Sequence, residues 1–139
     1  MSTSALNLFE LFSSNRESEE EGRWIELGEG TAFKLRAFGA KAVVDLRDSL
    51  MKPYQQMIRV GGKMADDKNE EIGLRVLAGG VIADWRNVKN ADNAIVPYSA
   101  DEAYAILKAL PKLASFIVQF SLESQNYRDE AREDGAGNS

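Results

Sequence analysis

Residues 67–88 read DKNEEIGLRVLAGGVIADWRNV, and the assignment of this stretch decides the fold. Leu74, Leu77, Val81, Trp85 and Val88 recur at spacings of three, four, four and three, one apolar stripe of an α-helix. Asp66, Asp67, Glu70 and Glu71 stand where carboxylates complement the positive end of a helix dipole. The spacing predicts a helix from about Asp67 to Trp85. Gly79-Gly80 lies inside it, and two interior glycines cost roughly 2 kcal/mol relative to alanine. Either another backbone packs closely on that face, or the helix bends there.

The same period extends outward from this stretch. On the N-terminal side, Val43, Leu46, Leu50, Tyr54 and Met57 form a stripe at spacings of three and four. Pro53 removes a backbone donor within it, which predicts a kink or break near Met51, and Gly61-Gly62 ends the segment. On the C-terminal side, a polar loop from Asn87 to Pro97 leads to Ser99-Ala100-Asp101-Glu102, a capping box. The helix it opens carries Ala103, Ile106, Leu107 and Leu110, and Pro111 suits the first position of a further helix bearing Leu113, Phe116, Ile117 and Phe120. Nearer the start, Trp24–Leu27 and Ala32–Phe38 alternate at period two around Gly28-Glu29-Gly30, the pattern of a hairpin. The expected fold is therefore mainly α: a small helical domain over residues 22–128 with an N-terminal β-hairpin, its β content minor. Leu46, Leu77, Trp85, Leu107 and Phe116 are its expected core. Two strands alone are marginal in water, so the hairpin must lie on the helices or pair with another chain, and homo-oligomers are expected.

Charge divides the chain. Residues 1–22 carry Glu10, Glu17, Glu19, Glu20 and Glu21 against Arg16, a net of −4, whereas residues 34–63 carry seven cations against Asp45 and Asp48, a net of +5. Residues 1–21 thus read as an acidic leader with a short apolar helix, with Ser13–Gly22 a polar linker. Four bulky apolar residues outside the main domain, Leu8, Phe9, Leu11 and Phe12, are candidate partner-binding residues, as is the face bearing Gly79 and Gly80. Residues 129–139, ending Gly-Ala-Gly-Asn-Ser, read as a disordered tail.

Catalytic constellations are thin. The chain has neither cysteine nor histidine, which excludes disulfides, thiolate nucleophiles, zinc sites with Cys or His ligands and Ser-His-Asp machinery. The Asp66-Asp67 and Glu70-Glu71 pairs suit a helix start, and the glycine pairs lack the lysine and hydroxyl of a phosphate loop. The expectation is a protein that is no enzyme and uses no cofactor or metal. A net charge of −5 argues against nucleic acid as the main partner, although the basic 34–63 region keeps open a small nucleic-acid-associated regulator. No apolar run approaches the roughly 20 residues that span a bilayer, and no charged start of a signal peptide precedes Arg16. A soluble cytoplasmic protein without membrane attachment is expected.

The order of parts resembles a known family. Gly22-Arg23-Trp24-Ile25-Glu26-Leu27 comes first, then Ile82-Ala83-Asp84-Trp85-Arg86-Asn87-Val88, then Val96-Pro97-Tyr98-Ser99, Glu102, Leu107, Leu110-Pro111, Leu113 and Ile117. This resembles the tail assembly chaperones of long-tailed bacteriophages, most specifically from Ile82 to Ile117. The resemblance implies a small, mostly helical, non-catalytic protein of the host cell cytoplasm. It implies binding to the long tape measure protein, recruitment of tail tube protein to it, and absence from the mature virion. A structural adaptor or tail-completion protein retained in the virion is the alternative within phage biology. The family's matching positions transfer no residue-level binding motif.

Overall fold

A computed structural model describes residues 5–128, so the expected tail from 129 lies outside the described residues. Helices α1 (Leu8–Phe12) and α2 (Arg16–Glu21) lead into strands β1 (Arg23–Gly28) and β2 (Thr31–Leu35). Helices α3 (Lys41–Met51), α4 (Gln55–Arg59) and α5 (Asp66–Val76) follow, with a 3-10 turn at Lys52–Tyr54 between α3 and α4. Pro53 lies in that turn, so the break falls where the missing backbone donor predicted it. A π-helical turn, Leu77–Val81, connects α5 to β3 (Ile82–Arg86). The short strands β4 (Val88–Lys89) and β5 (Ile95–Val96), helices α6 (Ala100–Ala109) and α7 (Pro111–Leu122), and a 3-10 turn at Ser124–Tyr127 complete the order.

The expected mainly α fold is corrected to a mixed α and β domain. A three-stranded antiparallel sheet in the order β1-β2-β3 and a two-stranded one, β4-β5, pack with the helices. The error lies in the deciding stretch: the helix ends before Ile82, and Trp85 stands on a strand. Register explains the misreading. Phe33 faces Trp85 and Lys34 faces Asp84, but Leu35 faces Ile82, so Ala83 is the extra residue of a β-bulge. The bulge puts Ile82 and Trp85, three apart, on the same buried face, where a regular strand would oppose them. Val81, Trp85 and Val88 are all buried too and continue the helical spacing of α5 across the change of element, so sequence periodicity assigned Trp85 to a helix.

The β1-β2 hairpin forms where expected. Its turn residues Glu29 and Gly30 have φ of 52° and 81°, the positive pair that a type I′ turn requires. Its third strand comes from the same chain, so the hairpin is not left as an isolated pair. On the outer face the Arg86 guanidinium lies 4.1 Å from the centre of the Trp24 ring, a cation–π contact that spans the middle strand. Ala32, paired with Arg86, is buried there.

The π-turn sits at the centre of the molecule. Leu77, Ala78, Gly80 and Val81 are buried, packed among α3, α5, α6 and α7 and running directly into β3. Phe33, Leu35, Val43, Val76, Ile82, Trp85, Leu107 and Ile117 join them in one core. Two expected core residues fall outside it: Leu46 is only partly buried, and Phe116 is 40% exposed.

The segment expected to be a polar linker is instead helix α2, capped by Asn15, whose Oδ1 accepts from the Ser18 amide. It is bound to the domain by backbone. The Asn15 amide donates to Tyr127 O at 2.6 Å, and the Ala37 amide to Glu19 O at 3.1 Å. The Glu20 carboxylate accepts from the Lys41 amide at 2.9 and 3.0 Å, placing a negative charge at the N-terminus of α3. Its carbonyl accepts from Arg36 Nε. Composition alone suggested a solvated spacer because the partners of these acids lie on distant elements.

Candidate interaction surfaces

Helix α1 is held in place while its apolar side chains face solvent. Asn7 caps it, its Oδ1 accepting from the Phe9 and Glu10 amides at 3.1 and 3.2 Å. At the other end the Arg128 guanidinium donates to Glu10 O at 2.6 Å and Leu11 O at 3.3 Å, satisfying carbonyls that a five-residue helix leaves open. Leu8, Phe9, Leu11 and Phe12 are 60, 84, 47 and 70% exposed. The four candidate residues of the leader are therefore brought together as one anchored apolar projection.

Gly79 and Gly80 are placed differently. Gly80 is buried, and a β-carbon there would stand 3.2 Å from Val43 Cα. At Gly79 it would stand 3.2 Å from Leu46 Cδ2 and 3.6 Å from Ala100 Cβ. Helix α3 thus occupies this face within the chain, and the glycines admit it. Both physical reasons offered by the sequence operate here: a second backbone approaches closely, and the α-helix gives way to a π-turn.

The Ile82–Ile117 segment forms a clasp. Trp85 Nε1 donates to Val96 O at 2.9 Å, fixing the loop that precedes Pro97. Its ring meets Phe33 at 5.8 Å and Tyr98 edge-on at 5.3 Å. The Tyr98 hydroxyl donates toward Ala78 O at 2.6 Å and Ile82 O at 3.0 Å, so it binds both ends of the π-turn. Burial raises its pKa above the ordinary phenol value. Ser99 Oγ accepts from the Glu102 amide at 3.1 Å and caps α6. The Asp-Trp and Pro-Tyr-Ser pieces, weak apart, are one hydrogen-bonded unit.

Behind this clasp lies a surface that sequence reasoning missed. An open cleft of about 390 Å³ runs between the loop Lys89–Asp92 and the outer side of α6. Ala105, Ile106 and Ala109 line one wall, with Glu102 and Leu110 at its ends. Ala103 and Leu107 hold the opposite, buried side of α6. The stripe at 102, 105, 106 and 109 has helical spacing, but alanines carry little weight in an apolar count, so the buried face dominated the reading. A second overlooked feature is the arm at 52–63. There Met57, Ile58 and Val60 are exposed beside the exposed cations Lys52, Arg59 and Lys63.

Among the described residues, no group of three or more acidic, His or Cys side chains is gathered for a metal, and no single helix is long and apolar enough to cross a membrane. Of the acids at the start of α5, Asp66, Asp67 and Glu70 are exposed and Glu71 is half-buried, 3.8 Å from Lys68 Nζ.

No curated protein and no solved structure matches the chain. The model of the YdaY prophage protein family matches residues 38–138, a span that begins at the loop before α3 and includes the clasp, the cleft and the basic arm. That span is well over half of the 139 residues, and so the chain is of phage origin and belongs to the YdaY prophage protein family.

Proposed function

We propose that this phage protein is a tail assembly chaperone, binding the tape measure protein in the host cytoplasm and helping to recruit tail tube subunits during tail morphogenesis. One observation carries the reading. The segment that resembles such chaperones, Ile82–Ile117, also supplies both walls of the α6 cleft. Ala105 and Ala109, one turn apart, let a helix approach closely, and Ile106 and Leu110 offer apolar contact beside them. That is the form of a groove for an amphipathic helix, with anchors at spacings of three and four. A tape measure protein presents such helices in long succession, so many copies of this chain would coat one partner and keep it soluble.

Co-expression tests the proposal. The cognate tape measure protein should become soluble in the presence of this chain and co-purify with many copies of it. Ala105→Glu, at an exposed position in the cleft, should abolish the complex without changing the melting temperature. A tape measure protein that stays equally insoluble with and without this chain would refute the chaperone reading. Recovery of the chain from purified virions would favour the retained adaptor instead.

A further inference from the structure

Two exposed apolar projections of this chain carry opposite charge. The first is α1, where Leu8, Phe9 and Phe12 face solvent beside Glu10, with Glu17 and Glu21 exposed on the neighbouring α2, three carboxylates against Arg16 and Arg128. The second is the arm at 52–63, where Ile58 and Val60 are 43 and 79% exposed among three cations and no carboxylate. Within one molecule neither covers the other. Helix α1 is held beside the Ser124–Tyr127 turn by Arg128. The arm lies beyond α3, whose 11 residues extend about 16 Å from Lys41, where α2 is docked. Helix α4 itself rests chiefly on the 3-10 turn before it.

We infer that α1 of one copy docks on the basic arm of a second copy. Apolar contact supplies the adhesion, and charge complementarity selects the arm over a second α1, which would bring like charges together. The two surfaces differ, so the contact is heterologous. A pair joined in this way keeps one unused leader and one unused arm, one on each copy, and association continues until a ring closes or a helical array grows. This inference concerns the isolated chain and does not depend on the cleft or on what occupies it.

Light scattering on the purified full chain tests it. The wild-type mass should exceed that of a monomer in the micromolar range and rise with concentration. It should fall as salt is raised from about 0.05 to about 0.5 M, because exposed charges are then screened. Phe9→Asp removes the leader surface and Val60→Asp the arm surface, both at highly exposed positions. Each variant alone should be monomeric, while an equimolar mixture should give a one-to-one dimer and nothing larger. Glu10→Lys or Arg59→Glu alone should weaken association, and a chain carrying both should regain it, a second route if the aspartates alter the circular dichroism spectrum. A wild-type monomer at every concentration, or a Val60→Asp chain that associates as wild type, would overturn the inference. So would a mixture of the two aspartate variants that stays monomeric.

Discussion

Replacing Gly80 with alanine should destabilise the fold, whereas the same change at Gly79 should not. At Gly80 the added methyl would lie 3.2 Å from Val43 Cα, and 3.5 Å from both Val43 Cγ2 and Leu46 Cδ2. The first of these is backbone of a fully buried residue in the middle of the core, and it cannot swing aside. Overpacking of this kind costs about 1–3 kcal/mol. Alanine would recover at most about 1 kcal/mol of helix propensity, and less in a π-turn. The net expectation is a loss of about 1–2 kcal/mol, a fall in melting temperature of roughly 3–6 °C for a domain of this size. At Gly79 the nearest atom is the end of the partly exposed Leu46 side chain, which can rotate away. The propensity gain then dominates, and Gly79→Ala should be neutral or more stable by up to about 1 kcal/mol. Urea unfolding of both variants measures the difference at constant slope. A Gly80→Ala protein as stable as wild type would refute the claim that close approach of α3 requires this glycine.

Trp85→Ala removes a buried indole, two ring contacts and the bond to Val96 O, and should cost about 3–5 kcal/mol; an unchanged urea midpoint would take Trp85 out of the core. Tyr98→Phe leaves the carbonyls of Ala78 and Ile82 without their hydroxyl donor and should cost about 1–2 kcal/mol, read by thermal melting. Alkaline pH should also unfold the protein. Burial raises the phenols of Tyr98 and Tyr127 above their ordinary value of 10.0, so the folded state holds these protons more tightly than the unfolded chain. Their contribution is complete below pH about 10 and declines as pH rises toward the folded values. Tyr127→Phe, which also loses the bond to Leu35 O, should make stability less steep in pH above 10.

The elements that the sequence made legible are those whose signals are local. The break at Pro53, the Ser99 cap and the start of α7 at Pro111 each depend on one residue's own donor, acceptor or ring. The hairpin turn at Glu29-Gly30 depends on a backbone geometry that glycine favours. Leu8, Phe9, Leu11 and Phe12 stood out as bulky apolar side chains beside an acidic run, and all four are exposed.

What required tertiary structure was every choice between two partners that are distant in the chain. Val81, Trp85 and Val88 have the spacing of a helix, and only the pairing of Ile82 and Trp85 with Leu35 and Phe33 across a bulge makes this segment a strand. Gly79 and Gly80 suggested an open face, and only the approach of Val43 and Leu46 shows it filled from within. Helix α2 looked solvated until the amides of Lys41 and Ala37 and the guanidinium of Arg36 were placed against it. Composition and period thus determined that the described residues form amphipathic segments around an apolar core. Which segments became strands, and which apolar faces stayed at the surface, was decided by contacts between residues tens of positions apart, whose energy exists only once the chain has closed on itself.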